Sequence, residues 1–113
     1  MPKVEIIPSL VKQLIKQFSK TEANKIIDLM ESLEEEPHKG KILGSVGGII
    51  IKELKYKNFR FYFIYDGYTY RNMDEDNLVE LLFRFVRMSD KKSQQDTIDK
   101  IKTILLKIGP SGL

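Results

Sequence analysis

GIIIKELKYKNFRFYFIYDG, residues 48–67, is the stretch on which the reading of the whole chain turns. β-Branched and aromatic residues fill positions 49–56 and 59–65, and only Lys57-Asn58 separates them. Asp66-Gly67 closes the second run, so the spacing predicts two antiparallel strands joined by a tight turn. A third run of the same character, LVELLFRFVR at 78–87, predicts a third strand. Strands in direct succession with short links form an antiparallel meander.

Upstream the apolar period changes from 2 to 3.6. Leu10, Leu14 and Phe18 form one stripe with Val11 and Ile15 beside it, which predicts a helix over about 9–18. Ala23, Ile26, Ile27, Met30 and Leu33 give a second helix over about 21–35, and the break at Ser19, Lys20 and Thr21 supplies its N-cap. So short a connection makes a helical hairpin. Val4 to Ile7, ended by Pro8, reads as a brief first strand. Residues 36–48, with Pro37 and four glycines, read as a loop. At the other end Ser93, with Asp96 three residues later, looks like a capping box; Ile98, Ile101, Ile104, Leu105 and Ile108 form an apolar face, and Gly109-Pro110 stops the helix. The order β-α-α-β-β-β-α describes one α+β domain over residues 1–113, with helices mostly on one face of a three-stranded sheet.

Composition narrows the chemistry. The 113 residues are 42% hydrophobic and 31% charged, with no apolar run of membrane-spanning length and no signal-peptide pattern at the N-terminus, so a cytoplasmic globular protein is expected. Without cysteine there is no disulfide, thiol nucleophile or thiolate-bound metal, and the single histidine, His38, argues against an imidazole-rich metal centre. No metal or other cofactor is expected; Glu34 to Glu36 and Asp74 to Asp76 read as a solvated helix end and turn. GKILG at 40–44 lacks the Lys-Ser/Thr ending of a phosphate-binding loop. His38 has no serine or threonine partner that would make a triad.

The net charge of +3 is unevenly spread. Residues 1–38 hold five lysines against seven acids and residues 72–113 are balanced, whereas Lys39, Lys41, Lys52, Lys55, Lys57, Arg60 and Arg71 face only Glu53 and Asp66 in the middle third. Alternation along 59–65 puts Phe59, Phe61, Phe63 and Tyr65 on a core face, and Arg60, Tyr62 and Ile64 on the other. Along 78–87, Val79, Leu81, Phe83 and Phe85 take the core, leaving Glu80 and Arg84 with Arg60 and Tyr62 on an open sheet face. In the strand at 49–56, Ile50 and Leu54 are assigned to the core. Arg87 falls on core parity, which an unpaired arginine cannot occupy, so the strand is expected to end or bulge near Val86 and release Arg87 to a basic rim with Lys91 and Lys92. Two readings of the open face remain: a half-solvated sheet with cross-strand ion pairs, or a basic, tyrosine-lined surface for RNA.

Two helices, then EEPHKGKILG (35–44), GIIIKELKYKNFRFYFIYDG (48–67) and LLFRFVRMSDKKS (81–93) running into a last helix, resemble the RelE/ParE toxin superfamily of type II toxin–antitoxin systems, closest to its HigB and phage-derived RelE-like branch. Glu53-Leu54-Lys55, Phe59-Arg60 and Phe85-Val86-Arg87 stand at the matching places. The resemblance implies a ribosome-dependent mRNA endonuclease neutralised by a small antitoxin protein, cutting by attack of a ribose 2′-OH on the adjacent phosphate without a metal. It implies that Arg60 holds the scissile phosphate and that Arg87, or Arg84, stabilises the transition state. Lys52 and Lys55 lie near the basic positions of the preceding strand, with Lys39, Lys41, Lys57, Lys91 and Lys92 as further RNA contacts. Relatives take general acid–base groups from a tyrosine or histidines near the C-terminus; this chain has no tyrosine after Tyr70 and no histidine after His38, which leaves Tyr62 or Glu53. A non-catalytic RNA- or protein-binding member of the same fold, or a ParE-like gyrase inhibitor, is the alternative.

Overall fold

A computed structural model describes residues 2–72 and 81–113 of the chain. The elements are β1 (Lys3–Ile6), α1 (Pro8–Gln17), α2 (Lys20–Glu31) with a 3-10 turn at Ser32–Glu34, β2 (Lys41–Val46), β3 (Ile49–Tyr56), β4 (Phe59–Asp66), α3 (Gly67–Arg71), β5 (Leu82–Asp90), α4 (Gln94–Lys107) and a 3-10 turn at Pro110–Gly112. They form an α+β domain around one five-stranded sheet of order β1-β5-β4-β3-β2. The β2 to β5 strands are an antiparallel meander, and β1 joins its far edge parallel to β5.

β2 is a correction to the loop expected over 36–48. Gly47 and Gly48, at φ +56° and +82°, are the two central residues of a hairpin turn closed by the Val46–Ile49 pair. Positive φ at both positions is what a two-residue turn between twisted strands requires, so these glycines mark a hairpin. α3 was likewise expected as loop; Asp66 caps it by accepting from the Thr69 amide at 3.0 Å. The last strand starts at Leu82, later than expected, and runs on to Asp90. Residues 78–80 of the predicted strand, with Val79, Glu80 and the acidic turn at 74–76, lie outside the described residues.

Its continuation past Arg87 rests on a bulge. Phe63 opposes Phe85 and Tyr62 opposes Arg87, so Val86 is the extra residue, as the parity conflict predicted. The bulge resets the alternation: Met88 turns toward Phe61, while Arg87 and Ser89 share the face of Tyr62 and Arg60.

Phe61, Phe63, Phe83 and Phe85 have no exposed surface, and burying such a ring contributes about 1.5–3 kcal/mol. Phe18, at the end of α1, packs edge-on against Phe59 with ring centroids 4.9 Å apart, which places the helical hairpin over this face. Ile50 and Leu54 oppose Tyr65 and Phe61 and so belong to it too, as expected. Ser19 Oγ caps α2 by accepting from Glu22 N at 3.2 Å.

The opposite face is not open. α4 crosses it from β5 to β2, burying Ile98, Ile101 and Leu105 over Ile51, Tyr62 and Ile64. Gly44 of β2 gives it room, since a Cβ there would lie 3.3 Å from Lys102 Cε. Ile108, expected on the apolar face of α4, is exposed. The expected Ser93 cap is also absent: its side chain caps nothing, and Asp90 Oδ1 instead accepts from Ser93 N at 2.8 Å. No helix among the described residues is long and apolar enough to cross a membrane.

Candidate nucleic-acid interface

Two adjacent cross-strand rungs gather half of the expected site residues. Lys41 of β2 opposes Glu53 of β3, Glu53 opposes Tyr62 of β4, and Tyr62 opposes Arg87 of β5. In the next rung on the same face, Lys55 opposes Arg60 and Arg60 opposes Ser89. Same-face rungs lie about 6.6 Å apart along a strand and neighbouring strands about 4.8 Å apart, so these side chains share one patch. Lys39, Lys41, Glu53, Lys55, Arg60 and the Gln94 side chain line a cleft of about 450 Å³ there.

Arg60 and Glu53 are both buried, at 8% and 6% exposure. Arg60 Nη1 donates to the carbonyls of Phe59 (3.1 Å) and Lys57 (3.4 Å), which fixes the guanidinium without neutralising it. Gln94 Nε2, at the first turn of α4, donates to Glu53 Oε2 (3.0 Å) and Oε1 (3.3 Å). Glu53 forms no ion pair among the described residues, although the cations of the cleft surround it. Arg87 is half-buried, its Nη1 donating to the Val86 carbonyl at 2.6 Å. Lys91 and Lys92 are exposed in the turn that links β5 to α4.

Other expected residues fall elsewhere. Tyr62, expected on an open face, has no exposed surface; its hydroxyl shares a 2.7 Å hydrogen bond with Ser89 Oγ. Burial pushes its pKa up and the nearby Glu53 adds to the rise, while the Ser89 bond and Arg60 oppose it, so it is a poor proton acceptor. Arg84 opposes Ile64, four residues from Arg60 along β4 and hence about 13 Å away. It donates instead to the carbonyls of Pro110 (3.1 Å) and Leu113 (3.4 Å). Lys57 pairs with Glu22 of α2, a bond that raises its pKa. Lys52 points to the opposite face, against Phe63, and its ammonium lies 5.6 and 5.5 Å from the ring centres of Tyr65 and Tyr70. His38 is exposed outside the cleft, its Nδ1 hydrogen-bonded to the Tyr70 hydroxyl.

Gln94 and Ser89 were not expected at the site. Nothing in the local sequence distinguishes Gln94 from the other polar residues of α4; only the crossing of the helix over the sheet brings it to Glu53. Among the described residues no three His, Asp or Glu side chains come together as metal ligands.

No family model, curated protein or solved structure matches the chain. What the patch offers chemically is a group of cations around one buried carboxylate, an arrangement suited to holding a phosphodiester beside a proton acceptor.

Proposed function

We propose that the chain is a toxin of the type II toxin–antitoxin kind that cleaves mRNA on the ribosome, and that the cleft holds the phosphodiester. One observation carries this reading: Glu53 sits among Lys41, Lys55 and Arg60 with only an amide on its oxygens. In this reading Arg60 grips the scissile phosphate and Arg87, diagonal to it across β4 and β5, meets the charge that grows on the phosphorane. Glu53 accepts the proton of the ribose 2′-OH, whose oxygen attacks phosphorus; the 5′-oxygen leaves with a proton from Lys41 or Lys55, and a 2′,3′-cyclic phosphate remains. A small antitoxin protein is the partner that keeps the cleft from RNA.

The test is cleavage of mRNA on programmed ribosomes, read by the chemistry of the new ends. Wild type yields cyclic phosphate ends. Arg60→Ala is expected to lower the rate by about 10²–10³-fold, in the range for loss of a transition-state donor. Glu53→Gln abolishes the step while leaving RNA bound. Uncut RNA with wild-type protein, or unchanged rates in both variants, would sink the reading.

A second reading, RNA binding without cleavage, is favoured by one feature: the Tyr62 hydroxyl is committed to Ser89, which leaves Glu53 as the lone acid–base carboxylate of the patch. It predicts ribosome or RNA binding with intact transcripts.

A further inference from the structure

Lys52 is a buried lysine without a counter-charge. It is 7% exposed, and among the described residues no carboxylate lies within ion-pair distance of its ammonium. Among the described residues its ammonium makes one hydrogen bond, a long one of 3.4 Å to the carbonyl of His38. Two tyrosine faces provide the rest of its surroundings. Buried charges are normally paired, and burial here lowers the lysine pKa, so the position carries a desolvation cost that, among the described residues, only the two ring contacts and one long hydrogen bond offset in part.

A cavity of about 320 Å³ opens next to it. Ile42, Ile50, Tyr65 and Tyr70 supply its apolar walls, with Ser45 and Arg71 as the polar groups. Register places this cavity against Lys52: Ile42 is its cross-strand partner on β2, Ile50 precedes it by two on the same face of β3, and Tyr65 opposes Ile50. Tyr65 and Tyr70, which flank the ammonium, are therefore also cavity walls. Tyr70 is held by the hydrogen bond between its hydroxyl and His38 Nδ1. Arg71 is exposed at the rim and makes no hydrogen bond or ion pair among the described residues. Among the described residues no carboxylate lines the cavity.

One cation at the rim, a second, Lys52, held against the two tyrosine rings that wall the cavity, and aliphatic walls with no acid among the described lining residues select for one class of occupant. We propose that this cavity binds a small planar organic anion, an aromatic ring bearing a carboxylate or a phosphate monoester, stacked on Tyr70 with its charge between Arg71 and Lys52. The ring replaces water on the tyrosine and isoleucine walls, and the anion supplies the charge that Lys52 lacks. The site lies on the sheet face opposite Arg60 and Glu53, and its occupancy is independent of RNA cleavage.

Titration of ¹⁵N-labelled protein with indole-3-acetate, phenyl phosphate and the uncharged indole-3-acetamide tests it. Both anions are expected to move the amides of Ser45, Gly48, Gly67 and Tyr70, and to bind about tenfold or more tightly than the amide, because a charge-assisted pair with arginine is lost. The tighter of the two anions identifies the headgroup. Arg71→Ala and Lys52→Met should each weaken the anions about fivefold or more while leaving the amide unchanged. Because Arg71 is exposed, its variant keeps the fold and decides the matter if Lys52→Met does not fold. Equal binding of the amide, shifts confined to the Lys41 and Arg60 cleft, no binding at all, or an Arg71→Ala variant that binds like wild type would overturn the proposal.

Discussion

Glu53 is a buried carboxylate whose two oxygens both rest on the amide of Gln94. A buried acceptor stripped of its donor costs about 1–3 kcal/mol, so Gln94→Leu should lower stability by that amount in urea unfolding. Replacing both partners by apolar residues, Glu53→Met with Gln94→Leu, should recover most of the loss, because the desolvated charge is gone; an additive double variant would show that the two side chains do not act together. The sequence offered Glu53 as a candidate because the family resemblance left it, with Tyr62, to stand in for the missing C-terminal tyrosine or histidine. Its partner was invisible there, since forty-one positions separate the two and only α4 brings them together. Lys52, Lys55 and Lys57 show the same limit. They look equivalent in a basic run, yet strand alternation sends Lys52 behind the sheet and a turn at φ +52° directs Lys57 to Glu22, so only Lys55 reaches the cleft.

At the scale of elements, hairpin geometry decides where the charges point. The Gly47-Gly48 turn sets the β2–β3 register, and a bulge at Leu43 then shifts it by one residue, which puts Lys41 rather than Ile42 opposite Glu53. A side chain in the left-handed region costs about 1–2 kcal/mol per residue, so Gly47→Val should destabilise by at least that much and weaken RNA binding through β2. Thermal unfolding beside a filter-binding titration checks both; unchanged stability would mean that the turn relaxes without strain. The Val86 bulge works in the opposite sense. Deleting Val86 leaves Arg87 opposite Tyr62 in a regular ladder, so the variant should fold with the same register and lose only the burial of one valine, about 1.5–3 kcal/mol. An arginine on core parity demanded that the strand end or bulge near Val86, and the strand bulges and runs on. β2 is hidden by its glycines, which signal loop by composition, although Gly-Gly between β-branched neighbours is a hairpin signal.

Across the molecule, burial of the tyrosines and of Lys52 sets the alkaline behaviour. Burial, with the neighbouring Tyr70 adding to it, pushes the Tyr65 pKa from 10 up to about 12, so the unfolded chain ionises first. Stability from this group is intact below pH 10 and is lost between pH 10 and about 12. Lys52 has the opposite sign: its folded pKa lies below the ordinary 10.5, so its penalty is full at neutral pH and fades as pH rises toward 10.5. Urea unfolding from pH 7 to 12 should therefore show a rise that Lys52→Met abolishes and a later fall that Tyr65→Phe reduces. A Lys52→Met profile identical to wild type would place the rise elsewhere. The α+β class and four of the five strands could be read from the sequence, since residue type and alternation are local properties. That α4 covers the second face could not, because its apolar stripe fits either side of the sheet.

The parallel pairing of β1 with β5 has a consequence for how the protein is made. The first strand leaves the ribosome long before the one it pairs with, and the helical hairpin that follows it packs on strands not yet synthesised. Gln94 emerges later still, after every cation that lines the cleft. A nascent chain therefore carries the basic residues before the helix whose Gln94 holds Glu53, and it stays without a formed site until α4 has been made.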